Sequence, residues 1–175
     1  MESIEVEKLL DRMVSPRNHG KVLKWIEAGP EPEDYYLALQ DSKSGESLFG
    51  MFVQGGDTER VGYILDNYNP DVNHRDTAGQ TPLIYACRLR EAPMAMFLLE
   101  RGVEVDLADD DGYTPLWYAV EHCINPGSDF IPVFKRMVEL GADPDSENIS
   151  GLTPRDEADA FPVTGLSAFL KDKGL

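Results

Sequence analysis

Gly79-Gln80-Thr81-Pro82-Leu83 is followed, one period of 33 residues later, by Gly112-Tyr113-Thr114-Pro115-Leu116. A third, degraded copy stands 39 residues further on, at Gly151-Leu152-Thr153-Pro154-Arg155. Self-similarity at a fixed period of roughly 20–50 residues is the sequence sign of a stacked repeat protein. The chain is therefore expected to present a binding surface and not to enclose an active site.

Each copy carries the chemistry of a turn followed by a helix. In the second copy, Gly112 suits a tight turn with positive φ. Thr114 can cap a helix through its hydroxyl, and Pro115 fits the first helical position, where no N–H is needed. Apolar residues then recur at helix-face spacing. In the first copy a second apolar helix, Met94 to Glu100, ends at Gly102. Each repeat is thus predicted to be a helix pair, joined to the next pair by an extended finger.

This pattern resembles the ankyrin repeat, which has a finger, Gly-x-Thr-Pro-Leu, a helix, a short turn and a helix ending in Leu-Leu-x-x-Gly. Residues 71 to about 158 carry the resemblance, with helix ends at Leu98-Leu99-Glu100-Arg101-Gly102 and Met137-Val138-Glu139-Leu140-Gly141. It implies an all-α ankyrin-repeat solenoid of about four helix-turn-helix repeats with capping helices. The alternative, a helical bundle with coincidental Thr-Pro caps, fits the fixed period poorly.

The expected organisation is a single domain, 1–175, divided into an N-terminal cap (1–33), repeats (34–158) and a C-terminal cap (159–175). The first repeat has a degraded start, Gly45-Glu46-Ser47-Leu48-Phe49, and a second helix from Thr58 through Leu65. Two insertions, near 30–44 and 123–129, exceed the repeat. Insertions in solenoids often lie on the binding face. A neutral insertion is equally open, because lengthening a surface loop costs little closure entropy.

Acidic residues outnumber basic ones by 32 to 16, which gives a formal net charge of −16. They concentrate in two successive fingers, and we name this set the acidic ridge: Glu100, Glu104, Asp106, Asp109, Asp110, Asp111, Glu139, Asp143, Asp145 and Glu147. Such a ridge would repel the phosphate backbone of nucleic acid. A basic protein would be attracted and steered onto it. The alternative is an acidic surface that only maintains solubility.

The sequence offers no recognised metal or catalytic motif. The acidic run before Gly112 fails as a calcium loop, because Leu107 takes the first ligand position and Tyr118 the last. Cys87 and Cys123 are too few for a disulfide framework and match no zinc pattern. No nucleophile motif accompanies the histidines. We expect no enzymatic activity, no metal and no cofactor. Without a basic, apolar leader or a run of about 18 apolar residues, we expect no membrane partner and a cytoplasmic location.

In proteins that look like this one, ligands usually meet the finger tips and the inner face of the first helices. Carried over position by position, the resemblance implicates these partner-binding residues: Thr77, Ala78, Gln80, Arg88, Leu89, Asp110, Asp111, Tyr113, Trp117, Glu121 and His122. Ile149, Ser150 and Leu152 follow in the degraded repeat. Trp117 is expected to be partly exposed, as an aromatic anchor among acids. Alternatively, it packs on the insertion loop.

The resemblance implies a protein–protein interaction module, and its finer role rests on association. The chain's small size, degenerate end repeats and acidic ridge favour an inhibitor or immunity protein that binds and occludes a basic toxin or enzyme. Resemblance to small stand-alone ankyrin proteins, including a bacterial toxin-immunity type, allows such a role. The alternative is a cytosolic ankyrin adaptor or kinase-inhibitor-like regulator, and an enzyme is the third hypothesis.

Overall fold

The computed structural model describes residues 44–67 and 70–175, where the chain forms four helix pairs. The helices are α1 (Leu48–Gln54), α2 (Thr58–Asn67), α3 (Pro82–Arg88), α4 (Ala92–Glu100), α5 (Pro115–Glu121), α6 (Phe130–Glu139), α7 (Pro154–Ala160) and α8 (Leu166–Asp172), with a short 3-10 helix at Pro162–Thr164. The predicted all-α fold is confirmed. The expected N-terminal cap at 1–33, and the insertion near 30–44 apart from Ser44, lie outside the described residues. Within those residues, no helix is both long and apolar enough to cross a membrane.

A hydroxyl side chain caps the first helix of every pair. Ser47, Thr81, Thr114 and Thr153 each accept a hydrogen bond from the backbone N–H three residues on, at 3.1 to 3.2 Å. Proline occupies the first helical position of α3, α5 and α7, where a missing N–H costs nothing. In α1 Leu48 stands there instead, and the serine cap alone starts the helix. The predicted helix starts, including both degraded ones, are therefore confirmed.

The helices stack in two layers. The first helices α1, α3, α5 and α7 pack on one another in chain order, the second helices α2, α4, α6 and α8 do the same, and each pair packs together. Small buried residues, Ala86, Ala119 and Ala158, allow neighbouring first helices to approach closely. The largest fully buried side chains include Phe49, Leu83, Leu98, Leu116, Phe134, Met137 and Leu166. Each repeat thus buries its apolar face only against its neighbours, as in other solenoids.

Backbone hydrogen bonds join successive fingers. These bonds run from N–H to carbonyl at 2.8 to 3.0 Å: Thr77 to Ser44, Asp110 to Ala78, and Ile149 to Asp111. Gly79 has φ +74°, and a Cβ at this position would lie 2.8 Å from the backbone N of Asp110. Only glycine permits both the turn and this close approach. The ladder therefore fixes the spacing of the finger tips.

The insertion near 123–129 forms an ordered loop between α5 and α6. Eight residues, 122–129, join these helices, whereas three, 89–91, join α3 to α4. The hydroxyl of Ser128 donates to the carbonyl of His122 at 2.7 Å, and Phe130 is fully buried. Ile124 is exposed at the loop's tip. The base of this loop is held by a hydrogen bond and by core packing.

The last described pair closes on the core through α8. Leu166 and Leu170 are buried, and α8 packs on α6. Phe161, between α7 and the 3-10 helix, is exposed, as are Asp156 and Asp159 on α7. The proposed role of 159–175 as a cap, like the other domain boundaries, stays a prediction.

Arg90, in the short turn between α3 and α4, offers a test of backbone strain. Its φ of 62° is left-handed, a conformation that costs a non-glycine residue about 1–2 kcal/mol. Glycine avoids that strain but loses about 0.5–1 kcal/mol in chain entropy. We expect Arg90→Gly to raise the free energy of unfolding by about 0.5–1 kcal/mol in urea denaturation. As a control, Arg88→Gly in the last turn of α3 should lower it. A loss of stability in Arg90→Gly would contradict the strain argument.

Candidate protein-binding surface

An aspartate ties the finger to the first helix in two repeats, and it is buried in the second of them. Asp109 accepts the N–H groups of Asp111 and Tyr113 on Oδ1, at 3.1 and 2.9 Å, and the hydroxyl of Tyr118 on Oδ2, at 2.8 Å. One repeat earlier Asp76 accepts from the equivalent groups: Ala78 N–H, Gln80 N–H and Tyr85 hydroxyl, at 2.8, 2.8 and 2.6 Å. Burial and the bond to Asp109 raise the pKa of Tyr118, which stays protonated as a donor. This anchor holds the finger tip at a fixed position over the helix.

Asp109 does not belong to the surface where the sequence placed it. It is 7 % exposed and satisfied within its own repeat, so its inclusion in the acidic ridge is wrong. The other ridge residues are exposed. In both intact copies an aspartate precedes a tyrosine by nine residues. This recurring spacing is the sequence feature that could have indicated a hydrogen bond between the two side chains.

The degraded repeat replaces this anchor with a different pair. Asn148 takes the place of the aspartate, and its Oδ1 accepts the N–H groups of Ser150 and Leu152 at 2.8 and 3.2 Å. The turn is therefore kept. Glu157 takes the place of the tyrosine, and the buried Nδ2 of Asn148 has no hydrogen-bond partner. The last finger therefore lacks the side-chain bond to the first helix that the two preceding repeats make.

The structure brings most of the predicted binding residues to one surface. The ladder sets Thr77 and Ala78 beside Asp110 and Asp111, all four exposed. Gln80 and Tyr113 lie half-buried behind them. At the ends of the first helices, Arg88, Leu89 and Glu121 are exposed. The guanidinium of Arg88 lies over the ring of Tyr85, at 5.2 Å from its centroid.

Trp117 is not the exposed anchor that the sequence indicated. It is 7 % exposed, and its ring packs edge-on against Tyr113, with centroids 5.4 Å apart. Ile84, the equivalent residue one repeat earlier, is also buried, so this position faces inward in both repeats. Tyr113, which also lies 5.8 Å from the ring of Tyr118, is the aromatic side chain that remains accessible.

His122 contributes mainly to packing at the insertion loop. Its ring lies edge-on to Phe130, with centroids 5.1 Å apart, and its Nε2 is buried without a partner. Burial, followed by the nearby charge of Arg90, lowers its pKa. His122 is therefore neutral at pH 7, and it is only half-exposed.

Several surface acids are paired within the chain. The salt bridges join Arg75 to Asp110 at 3.5 Å, Arg101 to Asp66 at 2.7 Å, Lys173 to Glu139 at 3.5 Å, and Arg155 to Asp145. The hydrogen bond from Arg155 lowers the pKa of Asp145. Asp111 and Glu147 enter no such bridge in the described part of the chain. Glu121 is exposed as a whole residue, but partial desolvation of its carboxyl, followed by the charge of Glu157, raises its pKa.

Neither the cysteines nor a metal site contributes to this surface within the described residues. Cys87 and Cys123 are free and buried, and burial raises the pKa of both thiols, to about 12 for Cys123. Thiols of this kind are unreactive at neutral pH. Within residues 44–67 and 70–175, no group of three or more His, Cys, Asp or Glu side chains is arranged to hold a metal.

The helix pairs, glycine-turned fingers and Thr-Pro caps match a family model that describes ankyrin repeats in three copies, over residues 49–153. The chain belongs to the ankyrin-repeat family. Ankyrin repeats are protein–protein interaction modules, and this chain is one.

The relatives of this ankyrin protein include a corepressor-like protein and a phosphatase regulatory subunit. Human BCL-6 corepressor-like protein 1 is 31 % identical over 122 residues, which cover 70 % of this chain and 6 % of that protein. Mouse protein phosphatase 1 regulatory subunit 27 is 36 % identical over 98 residues, 55 % of each chain. Human SH3 and multiple ankyrin repeat domains protein 1 is 29 % identical over 126 residues, 5 % of its length. The chain thus spans about half of the phosphatase subunit and small parts of the others.

The finger anchor predicts an asymmetry between two neighbouring tyrosines. Tyr118→Phe removes the donor to the buried carboxylate of Asp109, and we expect it to lower the free energy of unfolding by about 1.5–3 kcal/mol. Tyr113→Phe is the matched control, because its hydroxyl makes no hydrogen bond within the described residues, and we expect it to change stability by less than about 0.5 kcal/mol. Equal effects in urea denaturation would contradict the anchor's role.

The raised pKa of Glu121 predicts a pH-dependent stability. An acid whose pKa is higher in the folded state binds its proton more tightly there, so the fold gains stability as pH falls through that pKa. We expect Glu121→Gln to raise the melting temperature at pH 7, with the gain shrinking towards pH 4. A gain that is independent of pH would contradict this account. Glu59→Gln, on the exposed surface of α2, is the charge-matched control.

Proposed function

We propose that this ankyrin protein binds a partner with a basic surface and acts by covering it, as an inhibitor or immunity protein does. The observation that carries the proposal is the row of exposed finger-tip side chains, held by the ladder but not needed for the core. Thr77, Ala78, Asp110 and Asp111 project from this row. Exposed side chains that do not contribute to the core are available to contact a partner.

Charge supports the choice of a basic partner. The net charge is −16, and the ridge acids other than Asp109 are exposed. An acidic surface of this kind raises the association rate of a basic protein, and the rate falls with salt. The same surface repels the phosphate backbone of nucleic acid, so nucleic acid is not the partner. We also propose no membrane partner and no catalytic activity. The proposal includes a cytoplasmic location, since the two buried free thiols suit a reducing compartment.

A second candidate is an adaptor or a kinase-inhibitor-like regulator. The names of the relatives favour it, because they include a phosphatase regulatory subunit and a corepressor-like protein. An adaptor would bind several partners with lower affinity and leave their active sites open. The difference between the two candidates is one of stoichiometry and affinity, which makes it measurable.

The test is capture of partners from lysate of the native host at about 50 mM and about 500 mM salt, with identification by mass spectrometry. We expect one stoichiometric basic protein, released at high salt. Asp110→Asn with Asp111→Asn should weaken its capture at least about tenfold. Glu59→Gln with Asp172→Asn, which removes two charges from the second-helix layer, should not. Trp117 is left intact because its removal would damage the core.

Two other results would point away from inhibition. Several weakly held proteins, captured equally by both double variants, would favour the adaptor and reduce the ridge to a solubility feature. A captured enzyme that keeps full activity in the complex would exclude occlusion of its active site.

A further inference from the structure

An exposed apolar patch lies where the last two fingers meet. Ile149 is 72 % exposed and Leu152 is 48 % exposed, and both belong to the last finger. The N–H of Ile149 donates to the carbonyl of Asp111, at 3.0 Å, so the neighbouring finger lies against it. Gly112 is so close to this finger that a Cβ there would lie 3.0 Å from Cα of Asn148. Tyr113 follows Gly112 in the chain, at the position that Leu152 takes after Gly151 in the last finger, and it is half-exposed.

Carboxylates surround this patch on both sides. Asp110 and Asp111 lie at the neighbouring finger tip, and Glu147 precedes Asn148 in the last finger, all three exposed. On the first helices, Glu121 of α5 is exposed, and α7, which carries Glu157, packs on α5. The charge of Glu157 contributes to the raised pKa of Glu121. Neither glutamate makes an ion pair in the described part of the chain. Two carboxylates on helices that pack together disfavour each other's charged form, and a partner's cation near both would offset this effect.

The degraded anchor explains why Glu157 is available. In the two preceding repeats the equivalent position is a tyrosine bound to the finger's aspartate, so its polar group is used within the chain. Here Asn148 is 6 % exposed and its buried Nδ2 has no partner, whereas the equivalent aspartates accept the tyrosine hydroxyls of the first helices. The last repeat therefore has an unpaired buried donor and a free carboxylate next to exposed apolar side chains.

We propose that this end of the stack docks a basic amphipathic segment of a partner protein, with an arginine or lysine between Glu121 and Glu157 and an aliphatic residue on Leu152 and Tyr113. The proposal rests on the proposed function and specifies the partner's chemistry. Charge complementarity selects this occupant, because the patch is rimmed by carboxylates and neither glutamate has a cation of its own. An apolar contact in the centre with charges around it is the usual arrangement of a strong protein contact.

The test uses a random peptide library displayed on phage and selected on the full chain. We expect enriched peptides that carry arginine or lysine next to leucine, isoleucine or valine. For a synthetic copy of the strongest peptide, Glu121→Gln with Glu157→Gln should raise the Kd at least about tenfold, as should Leu152→Ser. Glu59→Gln with Asp172→Asn should leave the Kd within about twofold. Replacing the peptide's basic residue by glutamine should weaken binding to the wild type but not to the Glu121→Gln, Glu157→Gln variant.

The outcomes separate this inference from the function on which it rests. Selection of peptides without basic residues, or no loss in the Glu121→Gln, Glu157→Gln variant, would overturn the inference. So would failure to enrich any peptide, whatever the lysate experiment shows. Capture of a basic protein that depends on Asp110 and Asp111 would still support the proposed function in each of these cases. The melting temperature of every variant is compared with that of the wild type, so that weaker binding can be distinguished from unfolding.

Discussion

The buried carboxylate of Asp109 is the interaction on which the presented surface depends. A finger leaves one helix pair and must meet the next finger with its backbone groups in register. Three hydrogen bonds to Asp109 fix both the turn and its attachment to α5. Because the anchor is buried, water does not compete for these bonds, and the loss of any donor would leave a desolvated acceptor. The finger ladder, and with it the row of exposed tips, follows from this local arrangement.

The helices and their starts could be predicted from sequence because their determinants are local. A threonine cap followed by proline acts within one turn, so Thr114 and Pro115 start α5 whatever lies around them. The exposure of a side chain, in contrast, depends on residues that lie outside its own helical turn. Trp117 lies at a position of α5 that faces inward in both intact repeats, and its ring packs against Tyr113 of the finger. The residue type and its spacing alone do not show either contact. Asp109 was placed on the surface for the same reason, since its partner is a tyrosine nine residues away across the turn.

The same degradation that weakens the repeat pattern creates new surface. In the last repeat, Arg155 stands where the intact copies have leucine, and it reaches back to Asp145 at the surface. Asn148 and Glu157 replace the aspartate–tyrosine anchor. Within the described residues this repeat has a neighbouring first helix on one side only, so these positions lack part of the packing that constrains the preceding copies. The substitutions that made this repeat hard to recognise are thus the ones that distinguish its chemistry.

Long-range attraction and local recognition depend on different acids in this molecule. A net charge of −16 acts over a distance of about one Debye length and includes acids that already have cations, such as Asp110 beside Arg75. Those paired acids contribute little new bonding at contact, because a partner's cation would have to displace an existing one. Glu121 and Glu157 differ, since neither forms a salt bridge within the described residues. Removing distant acids should therefore change mainly the association rate, whereas removing this pair should change mainly the dissociation rate.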